Sequence, residues 1–585
     1  MRNKNFRKWD FDIFFEYLKP YKKAVILAPL FMIFEVAMDL LQPKLLAHIV
    51  DEGIIKGNLK FIIHTGFSML GIAIAGLVGG IGCTIFSSIA SQNFGHDLRK
   101  AIFKKIQSSQ FKDISIFSPS SLITRLTNDV SQAQQLVLIS LRMLVRAPFL
   151  CAGGIIMAFL INLKLSLIIF IVIPLLLFIF YFITGKSFSL FTAMQKKIDR
   201  INLIIRENLA GIRVIRIFNR TCYEKNRFEN ANKELVDASL SAINLIVKIG
   251  PIVMIIVNLS IIAVLWFGGR MSINNEIMVG EIMAFINYLM IILMSLMMIS
   301  NLFIFISRAG ASVERINEVL KMKEPDRKEK FYSMVSIKGK IEFKNVFFSY
   351  RETENAPFLQ NISFSIDEGE TAGIIGITGS GKTTILNLIA GLYEPISGDI
   401  LIDGISMKGI DPYILKKHMG VVTQEVMIFS GTIREIMQWA DEYASDAEIE
   451  EALKIAEIYG FVMKLPEGLD TFIGQKGVNL SGGQKQRLTI ARAIVRKPKI
   501  IIFDDCTSSV DFITEKRILR NLKDRLKDCT KIIVTPRIFT VMEADKVIVL
   551  EKGQIIGIGS HRQLIDECDV YREIYESQIG ERLNV

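Results

Sequence analysis

Long apolar stretches crowd the first 310 residues of the chain, and several exceed the roughly 20 residues that a bilayer requires. Leu, Ile, Val, Phe and Met dominate each stretch, with few charges inside. The pattern predicts transmembrane helices at approximately 24–47, 62–86, 138–161, 165–186, 247–269 and 278–306. The first half of the chain is therefore predicted to be an α-helical transmembrane domain of six spans.

The stretches between these spans indicate how the helices are connected. Only Asn162–Lys164 separates the third span from the fourth, which predicts a tight hairpin. Mostly polar stretches of about 50 and 60 residues, with helical periodicity, separate the second span from the third and the fourth from the fifth. Both fall on the same side as the termini, so we expect long helices that project from that face of the membrane.

The second half of the chain contains a phosphate-binding loop at Gly376–Thr383, with the pattern Gly, four residues, Gly, Lys and Thr. An apolar strand precedes the loop, and a helical pattern follows it. This context predicts backbone N–H groups and a helix N-terminus directed at phosphate. The predicted phosphate contacts are Gly376, Thr378, Gly379, Ser380, Gly381, Lys382, Thr383 and Thr384, with Thr383 as a Mg²⁺ ligand.

Further motifs follow in a fixed order. The apolar strand Ile500–Phe503 ends in Asp504, the usual position of a carboxylate that binds Mg²⁺ opposite the phosphate loop. Between the two motifs lies the stretch NLSGGQKQR, at Asn479–Arg487. With Tyr350, Gln424 and the stretch Ser508–Asp511, this series resembles the nucleotide-binding domain of ATP-binding-cassette (ABC) transporters.

The resemblance covers nearly the whole chain and implies an exporter-type transmembrane domain followed by an α/β P-loop ABC nucleotide-binding domain. The implied domains are residues 1–320, a linker at 321–338, and residues 339–585. Two stretches, Ser120–Asp129 and Ile205–Arg220, resemble the intracellular loops whose short coupling helices dock on the nucleotide-binding domain in that family.

The resemblance also assigns roles and implies ATP and Mg²⁺ as cofactors. Tyr350 would stack on adenine, and Gln424 would sense Mg²⁺ or the attacking water. The signature residues Ser481, Gly482, Gly483 and Gln484 would contact the γ-phosphate of an ATP held by the opposite subunit.

Three positions depart from the family pattern. The general base, usually Glu, is Asp505, which is one methylene shorter. The switch histidine is replaced by Pro536, which offers neither an imidazole nor a backbone N–H. Gln475 stands where the family usually has an acidic residue.

These departures predict the assembly. Each ATP in this family lies between one chain's phosphate loop and the other chain's signature, so half a transporter needs a second subunit. An intact signature beside a damaged base favours a heterodimer, as in bacterial multidrug exporters, with weak hydrolysis at this chain's own site. The alternatives are a homodimeric exporter with slow turnover, or a nucleotide-gated regulator that transports nothing.

Composition agrees with a membrane protein, since half of the 585 residues are hydrophobic and the mean hydropathy is +0.37. The net charge of +11 fits the positive-inside rule better than nucleic-acid binding. The six cysteines form no metal-binding pattern. We expect no cleavable signal, and an interfacial helix near the start of the chain. We also expect a multi-pass protein of a bacterial cytoplasmic membrane, with both termini and the ATP-binding domain in the cytosol.

The substrate is the least determined feature, but two groups of residues are candidates for binding it. Glu35 and Asp39 share one face of the first span. They either bind cationic amphipaths, form a structural hydrogen bond between helices, or lie at the outer mouth where water reaches them. In the sixth span, Asn287, Met290 and Met294 lie on one side, where flexible thioethers suit a promiscuous pocket but also ordinary packing or lipid contact.

Overall fold

The computed structural model describes residues 12–322, 336–350 and 357–579. Its contacts divide the chain into two compact units. The first comprises residues 1–108 and 117–323, and the second comprises residues 109–116 and 324–585. Most of the predicted linker, residues 323–335, lies outside the described residues.

The first unit is helical. Its helices, together with one short helix that belongs to the second unit (α4), are α1 (Asp12–Leu18), α2 (Lys22–His48), α3 (Leu59–Ser108), α4 (Phe111–Ser115), α5 (Pro119–Thr124), α6 (Val130–Ile161), α7 (Leu163–Ala210), α8 (Ile212–Ile217), α9 (Thr221–Val247), α10 (Ile249–Ile273) and α11 (Val279–Leu320). Two π-helical turns, Ile49–Ile54 and Arg125–Asp129, lie between these helices.

The predicted hairpin at Asn162–Lys164 is confirmed. Extended backbone at Asn162 ends α6, and the Asn162 side-chain oxygen accepts hydrogen bonds from the backbone N–H groups of Lys164 (2.9 Å) and Leu165 (3.2 Å). This cap satisfies two donors of the first turn of α7, so the chain reverses within one residue.

The length of the helices confirms that they extend beyond a membrane. Helix α3 has 50 residues and α7 has 48, which correspond to about 75 and 72 Å at the usual rise, against a hydrocarbon core of about 30 Å.

Five helical segments among the described residues are long and apolar enough to cross a bilayer. They are Phe14–Ile54, Leu59–Ser108, Pro119–Ile161, Thr221–Ile273 and Val279–Ile299. These segments contain four of the six predicted spans entirely and most of a fifth, 278–306. The remaining one, 165–186, lies in α7, whose described apolar portion is the shorter Leu163–Ile179. The fourth predicted span, 165–186, therefore stays a prediction.

The second unit is an α/β domain. Its strands are β1 (Ile341–Phe348), β2 (Leu359–Ile366), β3 (Thr371–Gly376), β4 (Ser397–Ile402), β5 (Ile405–Ser406), β6 (Met419–Val422), β7 (Gly431–Thr432), β8 (Phe472–Ile473), β9 (Ile500–Asp504), β10 (Thr530–Val534), β11 (Lys546–Glu551) and β12 (Gln554–Gly559). Its further helices are α12 (Lys382–Ile389), α13 (Pro412–Lys417), α14 (Ile433–Gln438), α15 (Asp446–Ile455), α16 (Tyr459–Val462), α17 (Gly482–Val495), α18 (Phe512–Arg525), α19 (Ile538–Val541), α20 (His561–Glu567) and α21 (Asp569–Ile579).

The strands form a six-stranded sheet in the order β12-β11-β3-β10-β9-β6, and all but the edge strand β12 run parallel. A four-stranded antiparallel sheet, β2-β1-β4-β5, shares an apolar core with it. Because β3, β10 and β9 are parallel neighbours, Gly376, Val534 and Asp504 end at one edge of the sheet. This edge is where parallel α/β sheets bind ligands.

One short segment from the first half of the chain belongs to the second unit. The stretch Ser120–Asp129 lies in the first unit, where buried Asp129 accepts hydrogen bonds from Ser312 and Arg315 of α11. It is residues 109–116, just upstream, that belong to the second unit, with the Phe111 ring edge-on to Tyr393 at 5.7 Å. Docking of the stretches Ser120–Asp129 and Ile205–Arg220 on the nucleotide-binding domain stays a prediction.

Candidate nucleotide site

The phosphate loop connects the end of β3 to the start of α12, as predicted. Gly379 and Gly381 adopt φ values of +84° and +108°, a region that favours glycine. A Cβ atom at Gly381 would also lie 2.6 Å from Leu359 Cδ2. The loop therefore needs glycine at this position for both backbone conformation and space.

The charge and polar groups of the loop fit a nucleotide phosphate chain. The Lys382 ammonium donates to the carbonyls of Gly376 and Ile377, both at 2.8 Å, and burial lowers its pKa below the usual range. The buried Ser380 Oγ has no hydrogen-bond partner among the described residues. The N-terminus of α12 begins at Lys382 and adds the positive end of its dipole.

The predicted Mg²⁺ ligands lie together. Thr383 Oγ1 donates to Asp504 Oδ1 over 3.3 Å, and burial is the main cause that raises the pKa of Asp504. Among the described residues, groups of three or more His, Cys, Asp or Glu that could hold a metal ion are absent. Mg²⁺ is usually held by one or two carboxylates plus phosphate oxygens and water, so this hydroxyl–carboxylate pair fits the ion when nucleotide supplies the rest.

Asp505 follows directly in an unusual backbone conformation. Its φ is +43°, and its backbone N–H donates to Val534 O at 2.8 Å. Gln424 Nε2 donates to Asp505 Oδ2 at 3.3 Å, so the two predicted catalytic residues meet. The buried Oδ1 has no hydrogen-bond partner among the described residues. Burial raises the pKa of Asp505, and the Arg537 guanidinium opposes the rise.

The loop around Pro536 is fastened by the residue that follows it. Arg537 Nη2 donates to Ser508 O at 2.8 Å, and Arg537 Nη1 lies 3.3 Å from Glu515 Oε2. Glu515 is only 4% exposed, and its other oxygen accepts hydrogen bonds from Thr507 and Thr540, both at 2.8 Å. Neither Arg537 nor Glu515 was predicted from the sequence, because they lie 22 positions apart and only the fold brings them together.

The signature forms a capped helix start. Ser481 is the N-cap of α17, and its hydroxyl accepts from Gln484 N at 3.3 Å while the Gln484 side chain accepts from Ser481 N at 2.8 Å. This capping box gives Gln484 a structural role that the sequence argument did not include. An open cleft at this helix end is lined by Ser481, Gly482, Gly483, Arg487, Ser509, Val510 and Asp511.

Tyr350, the predicted adenine contact, belongs to an aromatic cluster. Its ring is edge-on to Phe358 at 5.7 Å and to Tyr393 at 5.4 Å, and its hydroxyl lies 2.8 Å from Thr384 Oγ1. The side chain is still 41% exposed. The fold therefore brings Tyr350 beside the phosphate-loop helix, and Tyr393 links it to Phe111 of α4.

The two acidic residues of the first span are paired. Arg146 of α6 forms ion pairs with Glu35 and, at 2.9 Å, with Asp39. One cation thus bridges two carboxylates and leaves one net negative charge on the three residues. This arrangement supports the alternative in which the acidic residues bond between helices. Arg146 was missed because an arginine within an apolar stretch shows no partner in the sequence.

The candidate residues of the sixth span lie on the exposed face of α11. Met290 and Met294 are exposed, and Asn287 Nδ2 donates to Met283 O within the same helix at 3.0 Å. The opposite face, with Phe285, is buried. The shared face is confirmed, whereas contact with substrate stays a prediction.

Comparison with protein families identifies both units. Residues 25–296 match the family model described as ABC transporter transmembrane region, and residues 359–508 match the model described as ABC transporter.

Known relatives match along the whole chain. An uncharacterized ABC transporter ATP-binding protein of Bacillus subtilis, YfiB, is 41% identical over 564 residues, which cover 96% of this chain and 98% of the relative. An uncharacterized ABC transporter ATP-binding protein of Mycobacterium tuberculosis H37Rv is 36% identical over 96% of this chain and 97% of its own length.

A solved structure, described as a bacterial Atm1-family ABC exporter with ATP bound, superposes with a TM-score of 0.79. It covers 96% of this chain and 99% of that chain at 23% identity, and it therefore shows a shared exporter fold. Together with the full-length relatives, these matches establish that the chain belongs to the ABC transporter family, with a transmembrane region followed by an ATP-binding domain.

Proposed function

We propose that this chain is one subunit of a heterodimeric ABC exporter that moves amphipathic drugs or lipids out of a bacterial cell. In this proposal its own ATP site hydrolyses weakly, and its signature completes a competent site on the partner. The observation that carries the proposal is the contrast between Asp505 and Pro536 at the base and switch positions and the intact, capped signature at Ser481.

At its own site the chain has what ATP binding needs. Tyr350 would bind adenine, and the phosphate loop with Lys382 would bind the phosphate chain. Thr383 and Asp504 would hold Mg²⁺, whose bound charge screens the phosphate oxygens. The contacts within the site support this part, because Tyr350, Thr383 and Asp504 already lie against the phosphate-loop helix or its first turn.

The groups for the chemical step are weaker. Asp505 is one methylene shorter than the usual Glu, so its carboxylate would stop roughly 1–1.5 Å short of the attacking water, and a displacement of this size costs about 100-fold in rate. Its Oδ2 is already bonded to Gln424. Pro536 supplies no imidazole, so nothing at that position bonds to the γ-phosphate through a ring nitrogen.

In this proposal the signature residues act at the partner's ATP site and not at this chain's own site. The N-terminus of α17 and the Ser481 hydroxyl line an open cleft. The first N–H groups of a helix have no acceptor within the helix, so this end is a suitable binding surface for phosphate oxygens. The γ-phosphate on the partner's phosphate loop is the ligand expected there. The partner's chemical step would therefore depend on Ser481 and Gly482 of this chain.

For the substrate, the exposed face of α11 with Asn287, Met290 and Met294 is the proposed contact surface. Flexible thioethers adapt to amphipathic molecules of different shapes. Glu35 and Asp39 exceed Arg146 by one negative charge, which would favour cations. Replacing Glu35 by Gln and Asp39 by Asn should lower transport of cationic dyes in vesicles while neutral compounds are unaffected; equal loss of both would show that the pair serves structure.

Under this proposal, we expect the neighbouring reading frame to encode a second half-transporter with Glu and His at the base and switch positions. Assembly is tested by purifying this chain with and without such a partner. We expect a 1:1 complex with ATP-stimulated dye transport in vesicles, and turnover below about 1 per second for this chain alone. A chain that transports slowly on its own would support the homodimeric exporter instead, and a chain that turns over ATP alone at ordinary rates would overturn the heterodimer. ATP binding by a complex without any transport would support a nucleotide-gated regulator.

A further inference from the structure

The C-terminal helix α21 makes a specific contact with the loop that contains Pro536. Gln578 Nε2 donates to Pro536 O at 2.7 Å, and Gln578 Oε1 accepts from Ile538 N at 2.9 Å. One side-chain amide thus pairs with an acceptor and a donor two residues apart, as a neighbouring strand would. Pro536 has no N–H of its own, so these two hydrogen bonds are well placed to fix this part of the loop.

The other side of the loop is fastened to the residues after Asp505. Arg537 bonds to Ser508 O and to buried Glu515, as described above. The loop therefore lies between two attachments, with α21 on one side and the Ser508–Asp511 segment on the other. If the hydrogen bonds of Gln578 were lost, the loop would become more mobile, and Arg537 would transmit this mobility to Ser508.

Ser508 and its neighbour are joined in turn to the signature helix. Gln486 of α17, which is 3% exposed, donates to Ser508 Oγ at 3.0 Å and accepts from Ser509 N at 2.8 Å. Ser509 also contacts the signature glycines, since a Cβ atom at Gly483 would lie 2.8 Å from Ser509 O. A continuous series of contacts thus runs from α21 to the cleft that would receive the partner's nucleotide.

The docking of α21 does not depend on Gln578. Tyr571 is fully buried in one apolar cluster with Ile538 and Val541, and its hydroxyl lies 2.7 Å from His561 Nδ1. Gln578 itself is exposed and lies two turns further along the helix. A substitution at Gln578 should consequently remove the two hydrogen bonds and leave the helix in place.

We infer that Gln578 is a positioning residue: it holds the Pro536–Ile538 backbone so that Arg537 keeps the Ser508–Asp511 segment in register with the signature. The inference rests on the proposed function in one respect, namely that the ATP site whose turnover changes is the one on the partner's phosphate loop. It gives α21 a role in turnover although none of the proposed nucleotide contacts lies in this helix.

The test is Gln578→Met, which keeps the side-chain length and removes both hydrogen bonds, with Gln554→Met as the matched control. Gln554 is an exposed glutamine of β12 whose Nε2 bonds only to Gln360 among the interactions described. In the purified complex, hydrogen exchange of the Ile538 amide should rise about 5- to 100-fold in Gln578→Met, as expected for the loss of two ordinary hydrogen bonds. The control should exchange as the wild type does.

Steady-state ATPase assays provide the second readout. We expect kcat to fall about three- to tenfold while KM for ATP stays within twofold, because positioning of the segment matters in the transition state and not for ATP capture. Gln578→Glu keeps the acceptor for Ile538 N and should recover part of kcat. Gln578→Leu, which removes the same two hydrogen bonds, is the test variant if Gln578→Met does not fold.

Two outcomes overturn the inference. Unchanged exchange at Ile538 would show that Gln578 does not hold the loop, and raised exchange with unchanged kcat would show that the loop does not position the Ser508–Asp511 segment. The exchange measurement tests the role of Gln578 whether the complex is a homodimer or a heterodimer. If the complex proves to be a homodimer, the proposed function fails while the exchange and kcat results for Gln578 still decide this inference.

Discussion

Removal of Arg146 should leave two carboxylates between helices α2 and α6 without their cation. The side chains of Arg146, Glu35 and Asp39 are 31%, 16% and 33% exposed, so the pairs are neither buried nor on the surface. Breaking a fully buried pair costs about 3–5 kcal/mol and breaking a surface pair about 0–1 kcal/mol. For Arg146→Met we therefore expect a loss of about 2 kcal/mol, or a fall in Tm of about 3 °C for a helical unit of about 320 residues.

The assay is thermal unfolding of the complex in lipid nanodiscs, followed by helix signal. Arg520→Met is the control, because Arg520 is 83% exposed and lies 3.7 Å from Asp524, so its loss should change Tm little. The triple variant Arg146→Met with Glu35→Gln and Asp39→Asn should recover most of the loss, since neutral side chains need no cation. A single variant as stable as the wild type, or a triple variant no better than the single one, would refute the reasoning.

Three further predictions concern the ATP-binding domain. Asp505→Glu should change turnover of the complex less than about threefold, because the backbone φ of +43° disfavours a longer side chain and Pro536 remains; a rise of tens of fold in phosphate release would contradict this. Tyr350→Ala should weaken ATP binding at this chain's site about 2- to 10-fold in a fluorescent-nucleotide titration, whereas Tyr350→Phe should not. Burial lowers the pKa of His561 below 6.5, so the unfolded state binds its proton first and stability falls as pH drops below about 6.5. His561→Gln should make Tm less dependent on pH between 7.5 and 5.5, and an unchanged dependence would exclude His561 as a cause.

The sequence predicted those features of the fold that depend on local pattern. The lengths of the apolar stretches predicted the helices that correspond to five of the spans. The connection at Asn162–Lys164 was short enough to require a hairpin. The grouping of residues 109–116 with the second unit was not predicted. Its anchor, Phe111, is a single aromatic residue in a polar stretch, and only its distant contact with Tyr393 distinguishes it.

For the site, residues that act within a motif were predictable and residues that act through distant contacts were not. Thr383 and Asp504, 121 positions apart, were found because each belongs to a motif with its own backbone context. Arg537 follows the lost histidine, but its partner Glu515 carries no motif. Gln578 lies 42 positions from Pro536, and helical periodicity alone gives no reason to connect them.

The central claim is that the working ATP site uses this chain's signature and not its own phosphate loop. The most direct measurement compares ATP turnover of the purified complex carrying Asp505→Ala with that of the complex carrying Ser481→Arg. We predict that Asp505→Ala keeps most activity, because it removes a weak base from a site without a switch histidine. Ser481→Arg should abolish most turnover, because a bulky side chain at the start of α17 blocks closure around the partner's γ-phosphate. The reverse result, an inactive Asp505→Ala and an active Ser481→Arg, would place the working site on this chain's own loop and contradict the account.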